Sequence, residues 1–138
     1  MNFSKEWDER YKENTHLSIW PWSSLISYVM EYARPENRDF SVLELGCGAG
    51  ANIPFFMKLG VQYYGIEGSE SIVDSLWKIF PQLKDRIKVD DFTSGSSFKY
   101  DIEFDLIIDR SSVTHNSTKA IQNCLKLVYE NLKSNGKY

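Results

Sequence analysis

From residue 40 onward, the chain alternates short apolar runs with longer amphipathic segments. The apolar runs have the length and composition of strands, and they are Phe40–Leu45, Val61–Ile66, Arg86–Val89 and Phe104–Ile108. The segments between and after them have helical periodicity, and they are Asn52–Leu59, Ser69–Phe80 and Ser117–Lys133. Strands that alternate with helices of this length predict parallel pairing through crossover helices, with both faces of the sheet covered. The predicted fold class is therefore α/β.

Polar residues and helix breakers predict where these helices begin and end. Asn52 and Ser69 are expected to cap the first two helices, because their side chains can accept a hydrogen bond from a free backbone N–H. Pro81 follows the second helix, and Asn135-Gly136 is expected to stop the third. The last residues, Gly136–Tyr138, then look like the start of a further strand. We therefore expect the chain to be a fragment of a longer protein.

A different region precedes the first strand. Two amphipathic helices are predicted here, Phe3–Asn14 and Ser23–Ala33, with the aromatic link Trp20-Pro21-Trp22 between them. The chain contains no internal repeat, low-complexity tract or linker. We interpret residues 1–138 as one domain, with a helical leader over 1–39 and a sheet core over 40–138.

The composition excludes several classes of protein. Sixteen Lys and Arg residues stand against 19 Asp and Glu in 138 residues, a net charge of −3, so the chain has no general attraction for nucleic acid or anionic membranes. No apolar run approaches the ~18 residues of a membrane helix, and the charged N-terminus lacks the apolar stretch of a signal peptide. Cys47 and Cys124 form neither a disulfide framework nor a metal site. We expect a cytoplasmic protein with no metal, nucleic-acid or membrane partner.

The strongest local motif is a glycine-rich turn that joins the first strand to the next helix, VLELGCGAGA over residues 42–51. Glycines at such a turn let the backbone bend tightly and let a ligand approach closely. Gly46, Gly48 and Ala51 satisfy the dinucleotide pattern, and Glu67 follows about 20 residues later, where an acid binds ribose hydroxyls. This spacing alone does not identify the ligand.

Charge separates the two candidate ligands. Glu44 lies two residues before the first glycine, and no Lys or Arg occurs between Ser41 and Met57. An anionic dinucleotide would meet a like charge here, whereas a cationic ligand would be attracted. S-adenosylmethionine carries an ammonium and a sulfonium group, so the acid favours it over NAD.

Four segments together carry a family resemblance: ELGCGAG, YGIEGSE, VDDF and FDLIIDRSSVTH. In this order and spacing they resemble the class I, Rossmann-like S-adenosylmethionine-dependent methyltransferases. The resemblance covers about residues 40–138 and implies a Rossmann-like parallel sheet with helices on both faces. A full member of that family continues through a fifth strand and an antiparallel pair, which we expect to be missing here, so the sheet would be incomplete at its C-terminus.

The resemblance also implies roles for individual residues. Glycines 46, 48 and 50, with Cys47 and Asn52 of the same turn, would shape the pocket for the methionine end, and Glu44 would hold its amino group. Further implied contacts are Glu67 with the ribose hydroxyls, Gly68 and Ser69 along the same pocket, Asp91 with the adenine amino group, Phe92 beside the base, and Asp109 and Arg110 on the methyl-donor side. The leader sequence WDERY resembles a lid helix of the family, which adds Tyr11 to the candidate cofactor contacts.

Two neighbouring acids follow the third strand. Asp90 and Asp91 would point to opposite faces of an extended chain, so at most one of them is expected to face the cofactor. The resemblance favours Asp91.

Catalysis would depend mainly on alignment of the acceptor with the methyl group. His115 follows the fourth strand, where acceptors commonly sit in this family, and it could accept a proton from an attacking hydroxyl. Asp109 is the second candidate base, and a loop histidine with a purely structural role is an equal alternative for His115. The acceptor is expected to be a small molecule with a hydroxyl or amine, such as a sugar.

Two other functions stay open at this point. A dinucleotide-binding oxidoreductase would fit the glycine spacing and Glu67. A truncated fragment could instead keep the cofactor pocket without activity. In that fragment the fourth strand would form an open edge, and a homodimer could pair through it.

Overall fold

The computed structural model describes residues 5–13 and 18–138. Its five helices are α1 (Lys5–Lys12), α2 (Ser23–Tyr32), α3 (Ile53–Leu59), α4 (Glu70–Ile79) and α5 (Thr118–Asn131). The five strands are β1 (Ser41–Leu45), β2 (Gln62–Glu67), β3 (Ile87–Val89), β4 (Phe104–Asp109) and β5 (Leu132–Lys137). Short 3₁₀ turns cover Pro81–Leu83 and Val113–His115.

All paired strands run parallel in one sheet, in the order β3-β2-β1-β4-β5. The chain begins the sheet at its centre, builds outward to β3 and then crosses to β4 on the other side of β1. A crevice forms where the strand order reverses, at the carboxyl ends of the strands, and open α/β sheets bind their ligands there. The predicted α/β, Rossmann-like class is confirmed.

Apolar side chains cover both faces of the sheet. On one face, Val42 and Tyr63 pack in a cluster with residues of α2, α3 and α4. On the other face, Leu43 and Leu45 pack with residues of α5 and with Phe98 of the loop before β4. All five residues of β1 are buried, as expected for a central strand of a parallel sheet. Glu44 belongs to this strand, so its side chain is buried as well.

The two predicted caps have different outcomes. Ser69 caps α4, since its hydroxyl accepts a hydrogen bond from Ile72 N. Asn52 lies at the start of α3, but its side chain makes no capping bond. The Asn52 amide is instead directed towards Glu44, so the prediction of a side-chain cap there is wrong.

The C-terminal region also differs from the prediction. The last helix ends at Asn131 instead of Lys133, and Asn135-Gly136 lies inside β5 instead of stopping a helix. β5 pairs with β4 through an irregular register. A fifth strand is therefore present, and β4 is hydrogen-bonded on both sides. The open edge predicted for β4 does not exist, and the homodimer through an exposed sheet edge stays a prediction.

Helix α1 docks against the start of α4. The carboxylate of Asp8 accepts hydrogen bonds from the hydroxyls of Ser69 at 2.6 Å and Ser71 at 2.9 Å. The hydrogen bonds from Lys12 and Ser69 are the main reasons why the pKa of Asp8 is lowered to about 2.

Within the described ranges, none of the helices is both long and apolar enough to cross a membrane.

Gly50 provides a test of how the glycine turn packs against α4. Its φ is +82°, and an added Cβ would lie 2.7 Å from Leu76 Cδ2. Gly95 also has a φ of +82°, but nothing lies within 4 Å of its added Cβ. Gly95→Ala should therefore cost only the strain of the left-handed backbone, about 1 kcal/mol. Gly50→Ala adds overpacking against a buried leucine and should cost about 1–3 kcal/mol more.

Urea unfolding of both variants beside the wild type measures this difference. The expected order of unfolding free energies is wild type, then Gly95→Ala, then Gly50→Ala. Equal losses in the two variants would contradict the packing role of Gly50.

Candidate functional site

A cleft of about 420 Å³ opens at the carboxyl ends of the central strands, within the size range of small-molecule sites. Its walls come from the leader, the glycine turn and the loops after β2, β3 and β4. The residues that line it are Ser18, Trp22, Glu44, Gly46, Cys47, Gly48, Ala49, Ala51, Asn52, Glu67, Gly68, Asp90, Asp91, Phe92, Thr93, Arg110, Ser111, Ser112, His115 and Asn116.

The glycine turn brings the backbone against the loop that follows β4. Gly46 has a φ of +67°, and an added Cβ would lie 2.5 Å from Ser112 Cβ. A side chain at this position would clash and would also strain the backbone. The first three N–H groups of the turn are already used inside the protein: Gly46 and Cys47 donate to Ile66 O, and Gly48 donates to Glu67 Oε2 at 2.8 Å.

Glu44 is a buried carboxyl group at one wall of the cleft, with only 2% of its surface exposed. Its two oxygens accept hydrogen bonds from Asn52 Nδ2 at 2.8 Å and from the hydroxyl of Tyr63 at 2.6 Å. Burial raises the pKa of Glu44 to about 7, although these two bonds partly oppose the shift. Both donors are neutral, so a negative charge here would be stabilised further by a cation in the cleft.

Glu67 lies at the end of β2 and is also buried. Gly48 N and Ser69 N donate to its two oxygens at 2.8 Å and 3.1 Å. Burial raises the pKa of Glu67, and the backbone N–H groups partly oppose this. Because two carboxylate oxygens have about four acceptor positions, Glu67 retains capacity to accept hydrogen bonds from a ligand.

Both acids after β3 line the cleft. Both can do so because β3 ends at Val89 and the chain is no longer extended beyond it. That at most one of Asp90 and Asp91 faces the cofactor stays a prediction. Asp90 Oδ2 pairs with Lys99 Nζ at 2.8 Å. Asp91 Oδ1 accepts hydrogen bonds from the backbone and hydroxyl of Thr93, which fixes the loop beside Phe92.

The side-chain amide of Asn52 connects the leader to the cleft. Asn52 Oδ1 accepts a hydrogen bond from Trp22 N at 3.2 Å, while its Nδ2 donates to Glu44. The Trp22 ring lies against Arg110, whose Cζ is 3.1 Å from the ring centroid. Glu44, Asn52, Trp22 and Arg110 thus form a continuous series of contacts around one end of the cleft.

The two candidate bases occupy different positions. Asp109 does not line the cleft, since its Oδ1 accepts hydrogen bonds from the Ser112 and Val113 N–H groups and from the Ser112 hydroxyl. It therefore holds the loop after β4 in place. His115 is exposed and lines the cleft.

The burial of Cys47 raises the pKa of its thiol well above the usual range, so this cysteine is not a reactive nucleophile.

Most of the predicted site residues come together at the cleft. These are Glu44, Gly46, Cys47, Gly48, Asn52, Glu67, Gly68, Asp91, Phe92, Arg110 and His115. Gly50 instead contacts α4, Ser69 caps α4, and Asp109 braces its own loop. The side chain of Tyr11 lies outside the described part of the chain.

Several cleft residues were not assigned to the site from the sequence. The main ones are Ser18, Asp90, Thr93, Ser111, Ser112 and Asn116. All but Ser18 lie in the loops that follow the predicted strands Arg86–Val89 and Phe104–Ile108, and that position was an available signal. No group of three His, Cys, Asp or Glu residues that could hold a metal ion occurs within residues 5–13 and 18–138.

Burial of Glu44 has a measurable effect on stability. Its pKa is about 7 in the folded chain against an ordinary value of 4.5. The unfolded state therefore releases this proton first as the pH rises, and folding stability falls between those two values and stays low above them. Glu44→Gln removes this loss, so the variant should gain about 2–3 kcal/mol relative to wild type between pH 5 and pH 8.

Chemical unfolding at the two pH values measures the change. Burial raises the pKa of Glu67 as well, and the charge of Glu67 contributes to the raised pKa of Glu44, so the variant and the wild type are compared at both pH values. A difference between variant and wild type that does not change with pH would contradict a buried, titrating Glu44.

Comparisons with known proteins agree with this architecture. The glycopeptide N-methyltransferase MtfA, in a complex with sinefungin, is 21% identical with a TM-score of 0.67, and the match covers 83% of this chain and 46% of MtfA. A TehB-like SAM-dependent methyltransferase from Corynebacterium glutamicum is 20% identical with a TM-score of 0.71, and the match covers 96% and 71%. DesVI from Streptomyces venezuelae is 18% identical with a TM-score of 0.63, and the match covers 96% and 49%.

The chain thus spans about half the length of MtfA, for which complexes with S-adenosylmethionine and S-adenosylhomocysteine are also known. No curated protein sequence matches the chain significantly. A family model described as a methyltransferase domain matches residues 43–138, which include β1–β5 except the first two residues of β1. The chain belongs to this family of methyltransferase domains.

Proposed function

We propose that the cleft binds S-adenosylmethionine and that the protein transfers its methyl group to a small-molecule acceptor. The observation that carries this proposal is Glu44, a buried acid in the cleft wall whose two hydrogen-bond donors, Asn52 and Tyr63, are neutral. A ligand with a positive charge would favour the ionised carboxylate that burial disfavours. Its cationic amino group makes S-adenosylmethionine such a ligand.

The same turn argues against a dinucleotide. A pyrophosphate binds through free backbone N–H groups of the glycine turn. Here Gly46 and Cys47 donate to a carbonyl, and Gly48 donates to the Glu67 carboxylate. A pyrophosphate would therefore have to displace internal hydrogen bonds while lying beside two acids. The oxidoreductase alternative is disfavoured for this reason.

The remaining cleft residues fit the adenosine part of the cofactor. Glu67 has acceptor capacity for the ribose hydroxyls, at the strand end where such an acid is expected. Asp91 and Phe92 lie on the loop after β3, where they provide an acceptor for the adenine amino group and an apolar surface for the ring. Ser69 contributes to the site indirectly, because its backbone N–H donates a hydrogen bond to Glu67 and so orients that carboxylate.

When bound, S-adenosylmethionine supplies a methyl group on a sulfonium sulfur. That methyl group would pass to a lone pair of the acceptor, and the sulfur would keep the electron pair of the broken sulfur–carbon bond. The protein has to align the acceptor and exclude water. His115, exposed at the cleft beside the loop after β4, is the residue that would take the proton from a hydroxyl acceptor. Asp109 serves better as the brace of that loop.

The acceptor we propose is a small molecule with a hydroxyl or amine group, such as a sugar. The structural neighbour MtfA is a glycopeptide N-methyltransferase, which is consistent with an amine acceptor. We further propose a cytoplasmic protein that does not bind nucleic acid or membranes, in accordance with its net charge of −3. A homodimer through an exposed sheet edge remains a second, independent proposal.

Calorimetric titration with S-adenosylhomocysteine and, separately, NADH tests the proposed ligand. We expect binding of S-adenosylhomocysteine alone. Glu67→Gln should weaken it about 10- to 100-fold, because a carboxylate that accepts two ribose hydroxyls contributes about 1.5–3 kcal/mol. Glu70→Gln changes an exposed glutamate at the start of α4 and is the matched control, with affinity expected to equal the wild type. Binding of NADH alone would overturn the proposed function.

The pH dependence of the same titration tests Glu44. An ammonium group beside Glu44 favours its ionised form, so binding below pH 7 should release a proton from this carboxyl. S-adenosylhomocysteine affinity should therefore rise between pH 6 and pH 8, by at most about tenfold per pH unit below the pKa of about 7. Titrations in buffers of different ionisation enthalpy count the released proton.

Glu44→Gln is the control, since it keeps the size of the side chain and cannot titrate. It should bind more weakly and should lose most of the pH dependence. A wild-type affinity that is constant over this pH range would speak against an amino group at Glu44.

A further inference from the structure

We propose that Arg110, held flat against Trp22, binds the α-carboxylate of the cofactor and so completes a site for the amino acid's two opposite charges, with Glu44 as its anionic half. This inference rests on the proposed function. It assigns a specific partner to an arginine whose contacts so far explain only its position.

The cleft contains one side chain suited to this task. Its lining residues include four acids, Glu44, Glu67, Asp90 and Asp91, and Arg110 is the one Lys or Arg among them in the described chain. The ion pairs found within those described ranges do not involve Arg110. An anionic group of a ligand in this cleft would therefore be drawn to Arg110.

The contacts around Arg110 determine how it presents its donors. Its guanidinium lies over the Trp22 ring at 3.1 Å, which covers one flat face and leaves the N–H groups at the edge available. A guanidinium of this kind presents a planar fork that matches a carboxylate. Arg110 is also partly buried, so its charge is less screened by water than an exposed one.

The relation between Arg110 and Glu44 fits a zwitterion. The ammonium and carboxylate of an α-amino acid are attached to the same carbon, so their partners must lie on adjacent walls of one site. Asn52 connects these walls, because it donates to Glu44 and accepts from the backbone of Trp22, which in turn supports Arg110. Burial lowers the pKa of Arg110, and the charge of Glu44 partly opposes that shift, so the two groups are electrostatically coupled.

Two ligands that differ only in the carboxylate test this assignment by calorimetry. They are S-adenosylhomocysteine and decarboxylated S-adenosylhomocysteine, which keeps the amine. The wild type should bind the first at least about tenfold more tightly. Arg110→Ala should weaken S-adenosylhomocysteine about 10- to 100-fold and change the decarboxylated ligand by no more than about twofold, so the preference disappears.

A matched control is available outside the cleft. The guanidinium of Arg86 lies 5.2 Å from the centre of the Tyr64 ring, so it is also an arginine on an aromatic ring, but it does not line the cleft. Arg86→Ala should bind both ligands as the wild type does. Arg110→Lys keeps the charge without the planar fork, and it should show an intermediate loss for S-adenosylhomocysteine alone. This second variant provides the test if circular dichroism shows that Arg110→Ala does not fold.

The outcomes separate the inference from the proposed function. Wild-type protein that binds neither ligand would refute both. Wild-type binding of S-adenosylhomocysteine that Arg110→Ala and Arg110→Lys leave unchanged would refute only the inference, and Arg110 would then face the acceptor. An equal loss for both ligands would also refute it, because the effect would not depend on the carboxylate.

Discussion

The burial of one carboxyl group, that of Glu44, is the constraint around which this site is built. β1 is the central strand, and it is covered on both faces, so a glutamate in it is almost completely removed from water, with 2% of its surface exposed at the cleft. A buried carboxyl group needs hydrogen-bond partners, and the chain supplies Asn52 from the start of α3 and Tyr63 from the neighbouring β2. The Asn52 side chain is then directed towards Glu44 and Trp22 and away from the N–H groups at the start of α3, which explains why α3 has no side-chain cap. The pKa of about 7 shows that the two bonds only partly offset burial.

The glycine turn also provides a hydrogen-bond donor to a buried acid of the protein itself, Glu67. Gly46 allows the turn to approach Ser112, and Gly48 donates its N–H to Glu67. N–H groups of this turn are therefore bonded to acceptors of the protein itself, and the carboxyl groups beside the turn line the cleft. This distinguishes it from a phosphate-binding turn with the same glycine spacing, in which the N–H groups must stay free. Spacing alone therefore describes the backbone shape, while the hydrogen bonds decide which ligand it suits.

The central sheet and the acids of the site were predictable from local sequence. β1, β2 and β4 have apolar runs bounded by turn residues, and Glu44 and Glu67 lie at fixed positions relative to the glycines. The predictions failed where a non-local contact decides the structure. Leu132 and Lys133 look like the end of a helix and Asn135-Gly136 like its stop, yet all four lie in β5, which begins before the strand expected at Gly136 because it pairs with the edge of β4.

The leader illustrates the same limit at the site itself. Trp22 lies 30 residues before Asn52, and no sequence pattern connects them, yet two hydrogen bonds of the Asn52 side chain join the leader to the glutamate of β1. The amide of Asn52 has a single orientation compatible with both partners, because Glu44 needs a donor and the Trp22 N–H needs an acceptor. The position of the Trp22 ring, and with it that of Arg110, thus depends on the same buried acid. A change in the charge of Glu44 would therefore act on Asn52 and, through Trp22, on the position of Arg110 in the same cleft.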